Sequence, residues 1–148
     1  VKVLVKKLNS AVKLPEYNTN GASGMDLIAF IKESIIVKPK TSSLVPTGIS
    51  VAFSEDYEIQ IRPRSGLATK YNISVLNTPG TIDSDYRGEI KIIIYNHGDT
   101  DFNINNGDRI AQMILSPVIK MELEETNDLP KTIRGSGGFG STGKWIQS

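Results

Sequence analysis

The segment over residues 77–89 carries the side chains best suited to chemistry on a small ligand. Asp83 and Tyr86 stand three residues apart on one predicted loop, where a carboxylate acts as a base and an aromatic ring forms a flat wall. The segment leads into an apolar run over residues 90–95, so we interpret it as a β-hairpin with Asp83, Asp85 and Tyr86 at its tip. Asp and Ser are also routine turn residues, and on these types alone an ordinary turn is the simpler interpretation.

A second candidate is an anion site in the run Pro63-Arg64-Ser65-Gly66-Leu67-Ala68, which joins a predicted strand to a predicted short helix. The Ser65 hydroxyl is predicted to cap a helix over residues 66–71. The Arg64 guanidinium, the Ser65 hydroxyl and the Gly66 N–H would together favour a phosphate, because a helix N-terminus leaves unpaired N–H donors. An ordinary capped turn is the simpler alternative for an isolated Arg-Ser-Gly triplet.

The run Gly107-Asp108-Arg109-Ile110-Ala111-Gln112 is predicted to be a turn that enters a core strand. Strand alternation puts Gln112 on the same face as Ile110, so the amide of a buried Gln112 requires a hydrogen-bond partner. That partner is either a structural group or a ligand.

The segment over residues 134–143 differs from the rest of the chain, with five glycines in ten residues. It has little to bury and high backbone entropy, which predicts a flexible arm unless a ligand or another subunit orders it. Two nucleotide-binding patterns occur in this segment, but neither has the structure that it requires. The G-x-G-x-x-G pattern is not part of a βαβ unit, and the G-x-x-x-x-G-K pattern is followed by Trp145 instead of the Ser or Thr that binds magnesium. A featureless tail is one interpretation. The alternative is a lid over an aromatic polyanion, because the arm offers a cation, a ring and hydroxyl groups.

The elements that must position these residues are predicted to be almost all β-strands. Short runs rich in Val, Ile, Leu and Tyr recur every 8 to 14 residues or so between turn signals, which is typical of a β-sandwich or β-barrel. Apart from the short helix after Ser65, no window of about 12 residues keeps a helical period. The predicted strands cover residues 1–8, 25–30, 34–38, 42–47, 49–53, 57–63, 73–76, 89–96, 102–104 and 109–117.

Composition excludes several classes of function. The 148 residues, 39% of them hydrophobic, fit one ordinary globular domain. The absence of Cys excludes disulfides, thiolate metal sites and a cysteine nucleophile, and a single His, His97, excludes a multi-His metal centre. A net charge of +1 provides no strong positive field that would attract nucleic acid or an anionic membrane. Neither a long apolar stretch nor a secretion signal is seen, so we expect a cytoplasmic protein with no membrane or nucleic-acid partner.

Taken together, five motifs resemble those of the trimeric, all-β deoxyuridine triphosphatases (dUTPases), in the same order and at the family's spacing. They span almost the whole chain: Ala22-Ser23-Gly24-Met25-Asp26-Leu27, Pro63 to Ala68, Asn77 to Glu89, Gly107 to Gln112 and Arg134 to Gly143. Met25 and Ser136 replace residues that vary within the family. Ser54 and Asp56 stand where Pro and Gly are common, a difference confined to a loop.

The resemblance implies a jelly-roll-like β fold with a core over residues 1–133 and an arm over residues 134–148. It also implies a homotrimer whose active sites each draw on more than one subunit. The implied reaction is hydrolysis of dUTP to dUMP and pyrophosphate with Mg²⁺, which limits uracil incorporation into DNA and supplies dUMP for thymidylate synthesis. Asp83 is implied to be the general base that orients and deprotonates water, and Asp26 to hold the magnesium through a water.

The same resemblance assigns the substrate contacts. Phosphates would be held by core residues and by the arm, namely Arg64, Ser65, Gly66, Gln112, Arg134, Ser141 and Thr142. Phe139 would stack on the uracil, and Gly140 would belong to the same substrate-binding arm. The uracil edge would be recognised by Asn77, Gly80, Thr81, Ile82 and Lys91, where cytosine would leave buried groups unpaired and the thymine methyl would be excluded by shape. Tyr86 against the sugar would leave no room for a 2′-hydroxyl.

Two alternatives stay open. A deoxycytidine triphosphate deaminase, including a bifunctional one, shares the fold and some motifs, but the complete arm and the pair of Asp83 and Tyr86 favour the triphosphatase. A non-catalytic nucleotide-binding or partner-binding module is the second alternative. Loss of Asp83 or of the arm would have indicated such a module, and the sequence keeps both.

Overall fold

A computed structural model describes residues 1–145, which form eleven strands and one short helix. The strands are β1 Leu4–Lys7, β2 Met25–Ile28, β3 Ile35–Val37, β4 Ser42–Pro46, β5 Ile49–Ala52, β6 Tyr57–Arg62, β7 Ile73–Val75, β8 Gly80–Ile82, β9 Lys91–Asn96, β10 Phe102–Ile104 and β11 Arg109–Pro117; the helix is α1 Ser65–Tyr71. The prediction of an all-β fold is confirmed, and each of the ten predicted strands overlaps an observed one. Strand β8 was not predicted.

The strands form four small antiparallel sheets rather than one closed barrel. The largest has the order β2-β11-β6-β8, the second β4-β9-β7, and two pairs, β1-β5 and β3-β10, complete the fold. This arrangement agrees with the jelly-roll-like architecture that the resemblance implies.

Alternation along the strands builds one apolar core. In β9, for example, Lys91 is exposed while Ile92, Ile94 and Asn96 are buried. Each fully buried Ile or Val contributes about 2 kcal/mol of burial free energy. Asn96 is 1% exposed, and its amide satisfies three backbone groups, those of Val37, Gly98 and Thr100.

The helix α1 begins one residue earlier than the sequence predicts. Ser65 is its first residue, and Arg64 is the extended residue before it, with φ −94° and ψ 130°. The prediction that Ser65 is the N-cap is therefore wrong, because a residue with helical backbone angles cannot direct its hydroxyl at the N–H groups of the first turn. Arg64 makes no side-chain cap either. Among residues 1–145, no helix is long and apolar enough to span a membrane.

Residues 77–89 do not form the predicted β-hairpin. Strand β8 pairs with β6, whereas β9 pairs with β4 and β7 in a different sheet. The segment over residues 83–90 therefore crosses from one sheet to the other. Sequence alternation predicts strands but not their partners, and here the partner of β8 lies about twenty residues earlier in the chain.

Beyond β11, residues 118–145 contain no further strand or helix. Ile119, Met121 and Leu123 alternate along this extended stretch and are largely exposed. The arm that follows turns repeatedly, with positive φ at Gly135, Phe139, Gly140 and Gly143.

Candidate active site

Two of the predicted site residues, Asp26 and Gln112, meet at the end of the largest sheet. Asp26 in β2 and Gln112 in β11 are direct cross-strand partners, so their side chains share one face. A bulge around Ile110 shifts the register, and Arg109 pairs with Ile28, two residues from Asp26. Arg109 therefore lies on the same face as Asp26 and Gln112, although simple alternation places positions three apart on opposite faces.

The bulge also changes the environment of Gln112. Ile110 is buried in the core while Gln112 is only partly buried on the Asp26 face, so the prediction that the two share a face is wrong. The Gln112 amide nitrogen donates to the Pro63 carbonyl oxygen at 2.9 Å, which identifies a structural partner and leaves its second N–H for a ligand. A Cβ at Gly24 would lie 2.9 Å from Gln112 Oε1, so this close packing requires glycine.

Asp26 is held between two arginines. Its Oδ1 lies 3.2 Å from Arg64 Nε, and its Oδ2 lies 3.4 Å from Arg109 Nη1 and 3.3 Å from the amide nitrogen of Asn18. Arg64 Nη1 also donates to the Arg109 carbonyl oxygen at 3.0 Å. The two guanidinium groups keep N–H groups that Asp26 does not engage, and these can donate to an anion.

The two arginines open onto a groove of about 670 Å³. Its walls also include Leu67, Tyr71 and Phe102 and the acidic residues Asp101 and Asp108. Ser65 and Gly66 are exposed at the start of α1, immediately after Arg64. Nothing lies within 4 Å of a Cβ built at Gly66, so the main chain there is open to a ligand. The core residues that are predicted to bind phosphate thus lie close together.

Asp83 lies elsewhere in the same chain. It follows β8 at the end where Ile82 pairs with Ile59, whereas Arg64 lies two residues beyond the opposite end of β6. At about 3.3 Å per strand residue, the two side chains are roughly 15 to 20 Å apart. A separate open cleft of about 600 Å³ contains Asp83, and within residues 1–145 it shares no lining residue with the Arg64 groove.

Tyr86 is fixed beside Asp83 by a turn. Its N–H donates to the Asp83 carbonyl oxygen at 3.1 Å, and its hydroxyl donates to the Glu89 carbonyl oxygen at 3.0 Å. The ring lies across Gly88, where an added Cβ would come within 2.2 Å of the Tyr86 hydroxyl oxygen. The side chain is therefore anchored at its tip while the residue stays 43% exposed, so the ring can contact a ligand.

The predicted uracil-binding residues lie at the edge of the largest sheet. Strand β8 is its last strand, so alternate N–H and C=O groups around Thr81 and Ile82 lack a strand partner on the outer side. A Cβ at Gly80 would lie 3.2 Å from the Asn77 amide nitrogen, which places the Asn77 side chain against this strand. Lys91 belongs to the other sheet, where its Nζ lies 4.0 Å from a Glu89 carboxylate oxygen.

Among the described arm residues, 134–145, none lines the groove or the Asp83 cleft. Every hydrogen bond of residues 134–143 within the described chain has its partner inside residues 132–143, including Arg134 Nε to the Gly137 carbonyl oxygen at 2.7 Å. Phe139 is fully exposed. Gly140, Ser141 and Thr142 are exposed as well, so the predicted arm contacts are not made within one chain.

Asp26 suits a water-mediated magnesium rather than a protein-built metal cage. Residues 1–145 contain no cluster of three or more His, Cys, Asp or Glu side chains that could hold a metal. Magnesium typically keeps several waters and binds through one or two carboxylates together with substrate phosphates. The Asp26 carboxylate, held by two arginines beside the groove, fits that mode.

The family model for dUTPase matches residues 10–143. The chain belongs to the dUTPase family. It is 51% identical to the deoxyuridine 5′-triphosphate nucleotidohydrolase of Nautilia profundicola over 97% of this chain and 100% of that protein. It is 54% identical to the protein of the same name from Rickettsia conorii, over 95% and 96% of the two chains.

Solved dUTPase structures share the fold of this chain. A dUTPase mutant of Staphylococcus bacteriophage 80alpha with dUpNHpp superposes with a TM-score of 0.86 at 24% identity, covering 96% of this chain and 98% of that one. A mutant dUTPase from phage phi11 of S. aureus, described as coordinating a structural Mg(II) ion, has a TM-score of 0.79 at 22% identity and covers 88% and 100% of the two chains. Both the family resemblance and the all-β fold class are therefore confirmed.

Sequence analysis did not select Arg109, Asn18 or Gly24. Arg109 lies inside a motif of the dUTPase family, but its spacing of three from Gln112 concealed the shared face because a bulge cannot be read from alternation. Asn18 lies in a loop, and no pattern in the sequence indicates its contact with Asp26.

Proposed function

We propose that the protein is a dUTP diphosphatase, which hydrolyses dUTP to dUMP and pyrophosphate. Membership of the dUTPase family supports this activity. The observation that carries it is the meeting of Asp26, Arg64 and Gln112 beside one groove, where the Arg64 guanidinium and the Gln112 amide offer N–H donors to a triphosphate.

The triphosphate lies in the Arg64 groove in this proposal. Arg64, the Ser65 hydroxyl, the Gly66 N–H and the free N–H of Gln112 donate to phosphate oxygens. Asp26 would hold a magnesium ion through water, and the ion would neutralise part of the phosphate charge. These groups fix the phosphate chain so that the α-phosphorus presents one face to the attacking water.

The uracil binds along the free edge of β8. Uracil presents a donor N–H flanked by two carbonyl acceptors, which matches the alternating C=O and N–H groups of Thr81 and Ile82. Asn77, packed against Gly80, contributes an amide, and Lys91 lies on the strand that follows the crossing. Cytosine reverses two of these donor and acceptor groups, which costs about 1 to 3 kcal/mol for each buried group left unpaired.

Asp83 acts on the water. Its carboxylate accepts a proton from the water as the oxygen attacks the α-phosphorus and pyrophosphate leaves. Because a carboxylate is a weak base, most of its contribution comes from positioning the water in line with the leaving group. The Tyr86 ring beside it packs against the deoxyribose and excludes a 2′-hydroxyl.

The active site is shared between chains of a homotrimer. Asp83 and Arg64 of one chain are too far apart to contact one α-phosphate, so the Asp83 of one subunit serves the Arg64 groove of another. The exposed apolar side chains of Ile119, Met121 and Leu123 support an interface between copies.

The arm closes the site in the assembled trimer. Residues 1–133 form the core, and residues 134–148, of which 146–148 lie outside the described part, form the lid. Phe139 stacks on the uracil while Arg134, Gly140, Ser141 and Thr142 contact phosphates. In the cell this activity limits uracil incorporation into DNA and supplies dUMP for thymidylate synthesis; a cytoplasmic location stays a prediction.

One assay tests the proposal against its alternatives. The full chain is incubated with magnesium and either dUTP or dCTP, and both pyrophosphate and ammonia are measured. We expect pyrophosphate from dUTP and no ammonia from dCTP. Ammonia would identify a deaminase, and nucleotide binding without either product would identify a binding module.

A further inference from the structure

Arg109 occupies a position that only the β-bulge allows. The shifted register places it beside Asp26 and opposite Ile28, with its side chain 56% exposed at the wall of the groove. A bulge of this kind redirects a side chain at the cost of one regular strand pairing. In a strand without a bulge, a residue three positions before Gln112 would instead point to the opposite face, toward the core.

Arg109 and Asp26 together hold Arg64 from two sides. Arg64 Nε lies 3.2 Å from Asp26 Oδ1, and Arg64 Nη1 donates to the Arg109 carbonyl oxygen at 3.0 Å. The Arg109 guanidinium reaches the other carboxylate oxygen, Asp26 Oδ2, at 3.4 Å. The three residues form a closed ring of contacts, and within residues 1–145 Arg64 Nη2 has no polar partner.

The Arg109 side chain thus limits how strongly Asp26 can hold Arg64. A carboxylate and a guanidinium readily form two parallel hydrogen bonds when both oxygens are free. Oδ2 is engaged by Arg109 at 3.4 Å and also by the Asn18 amide at 3.3 Å, and Asp26 contacts Arg64 through Oδ1 alone. Of these two partners of Oδ2, Arg109 is the charged one. The remaining N–H groups of Arg64 then stay directed into the groove, where a phosphate can accept from them.

We propose that Arg109 is a positioning residue for triphosphate binding, which acts by keeping Asp26 from capturing the Arg64 guanidinium. The inference rests on the proposed function, because it concerns the phosphate half of the same site. Its ligand is the triphosphate chain, not the base or the sugar. A loss of Arg109 therefore affects the di- and triphosphate part of the substrate far more than the nucleoside monophosphate part.

The test compares two ligands on the full-length protein. Arg109→Gln, Arg109→Lys and the control Lys70→Gln are titrated calorimetrically with dUMP and with the analogue dUpNHpp in the presence of magnesium. Lys70 is an exposed cation on α1, close to the groove, so its variant removes the same charge without touching Asp26. Melting temperatures report whether each variant folds as the wild type does.

For Arg109→Gln we expect dUpNHpp to bind about tenfold more weakly and dUMP to change less than about twofold, with KM for dUTP raised more than kcat is lowered. Arg109→Lys should recover most of the affinity, because an ammonium can still engage Oδ2. Lys70→Gln should match the wild type. Equal weakening of both ligands, or no weakening of either, would overturn the proposal.

A double variant distinguishes positioning from direct contact with phosphate. If Arg109 acts through Asp26, adding Arg109→Gln to Asp26→Asn should weaken dUpNHpp by less than about twofold beyond Asp26→Asn alone. Fully additive losses would mean that Arg109 touches the phosphates itself, which contradicts the proposal. Wild-type protein that neither binds nor hydrolyses dUTP would instead refute the proposed function, an outcome visible before any variant is made.

Discussion

Asp83 and Arg64 lie at opposite ends of strand β6. Asp83 follows the β8 residue that pairs with Ile59, and Arg64 continues the chain past Arg62 at the other end. In the proposed function, the Asp83 base and the Arg64 phosphate ligand of one chain therefore cannot meet on one substrate. The proposed mechanism therefore requires an active site that is shared between subunits.

Replacing Asp83 with Asn keeps the shape of the side chain but removes its basic oxygen. We expect nearly normal dUpNHpp binding and a turnover lower by a factor of at least about 10². Calorimetry and a pyrophosphate assay measure the two effects separately.

Asp85→Asn is the matched control for this change, because Asp85 is exposed in the same cleft two residues away. It should keep most of the wild-type turnover. If Asp83→Asn also kept most of its turnover, Asp83 would have no part in the chemical step.

Tyr86→Ala should reduce discrimination against UTP more than it reduces dUTP hydrolysis, because it opens space beside the sugar. Gly88→Ala should act in the same direction, since its Cβ would come within 2.2 Å of the Tyr86 hydroxyl oxygen and displace the ring. The ratio of kcat/KM for dUTP to that for UTP is the measurement. Tyr86→Phe keeps the ring and should keep most of the selectivity. Equal proportional losses for both substrates would show that Tyr86 only supports the fold.

Truncation before Arg134 should leave the ligand-free melting temperature almost unchanged, because within the described residues the arm's hydrogen bonds to the core are limited to the local ones from the Gly135 N–H to Thr132. The same truncation should lower dUTP hydrolysis by orders of magnitude, since it removes the Phe139 ring and several phosphate donors. In the intact protein, amides of residues 137–142 should exchange hydrogen quickly alone and slowly with dUpNHpp and magnesium. An active truncated protein would exclude the arm from catalysis.

Asn96→Ala should destabilise the fold by about 3 kcal/mol, because it leaves backbone groups of Val37, Gly98 and Thr100 without their buried partner. Chemical denaturation measures the difference. Asn103→Ala is the control, since the Asn103 amide makes one long, exposed contact at 3.4 Å and should cost little. A similar stability for both variants would mean that water replaces the lost hydrogen bonds of Asn96.

The sequence predicted most of the strands because alternation in runs such as β9 follows directly from burying one face. It could not predict β8, which has three residues and begins with a glycine. It also could not predict strand partners, and the supposed hairpin at residues 77–89 was wrong for that reason. Pairing depends on contacts between distant segments, which local periodicity does not record.

Individual site residues were predicted only where they belong to one of the family motifs. Asp26, Arg64 and Gln112 came from the motifs, and the structure brings these three together. The cap at Ser65 was wrong because helix boundaries are set by backbone angles at single residues. Arg109 was missed because one extra residue in β11 reverses the face of every position before it.

Mixed trimers test the shared active site most directly. Chains carrying Asp83→Asn are unfolded and refolded together with chains carrying Arg64→Ala, and dUTP hydrolysis is compared with each variant alone. Each variant alone should be nearly inactive. If an Asp83 from one subunit serves the Arg64 groove of another, equal mixing should restore about a quarter of the wild-type sites. Mixed trimers that form, as shown by mass spectrometry, but remain as inactive as the separate variants would contradict the shared site and place Asp83 and Arg64 in the same subunit's active site.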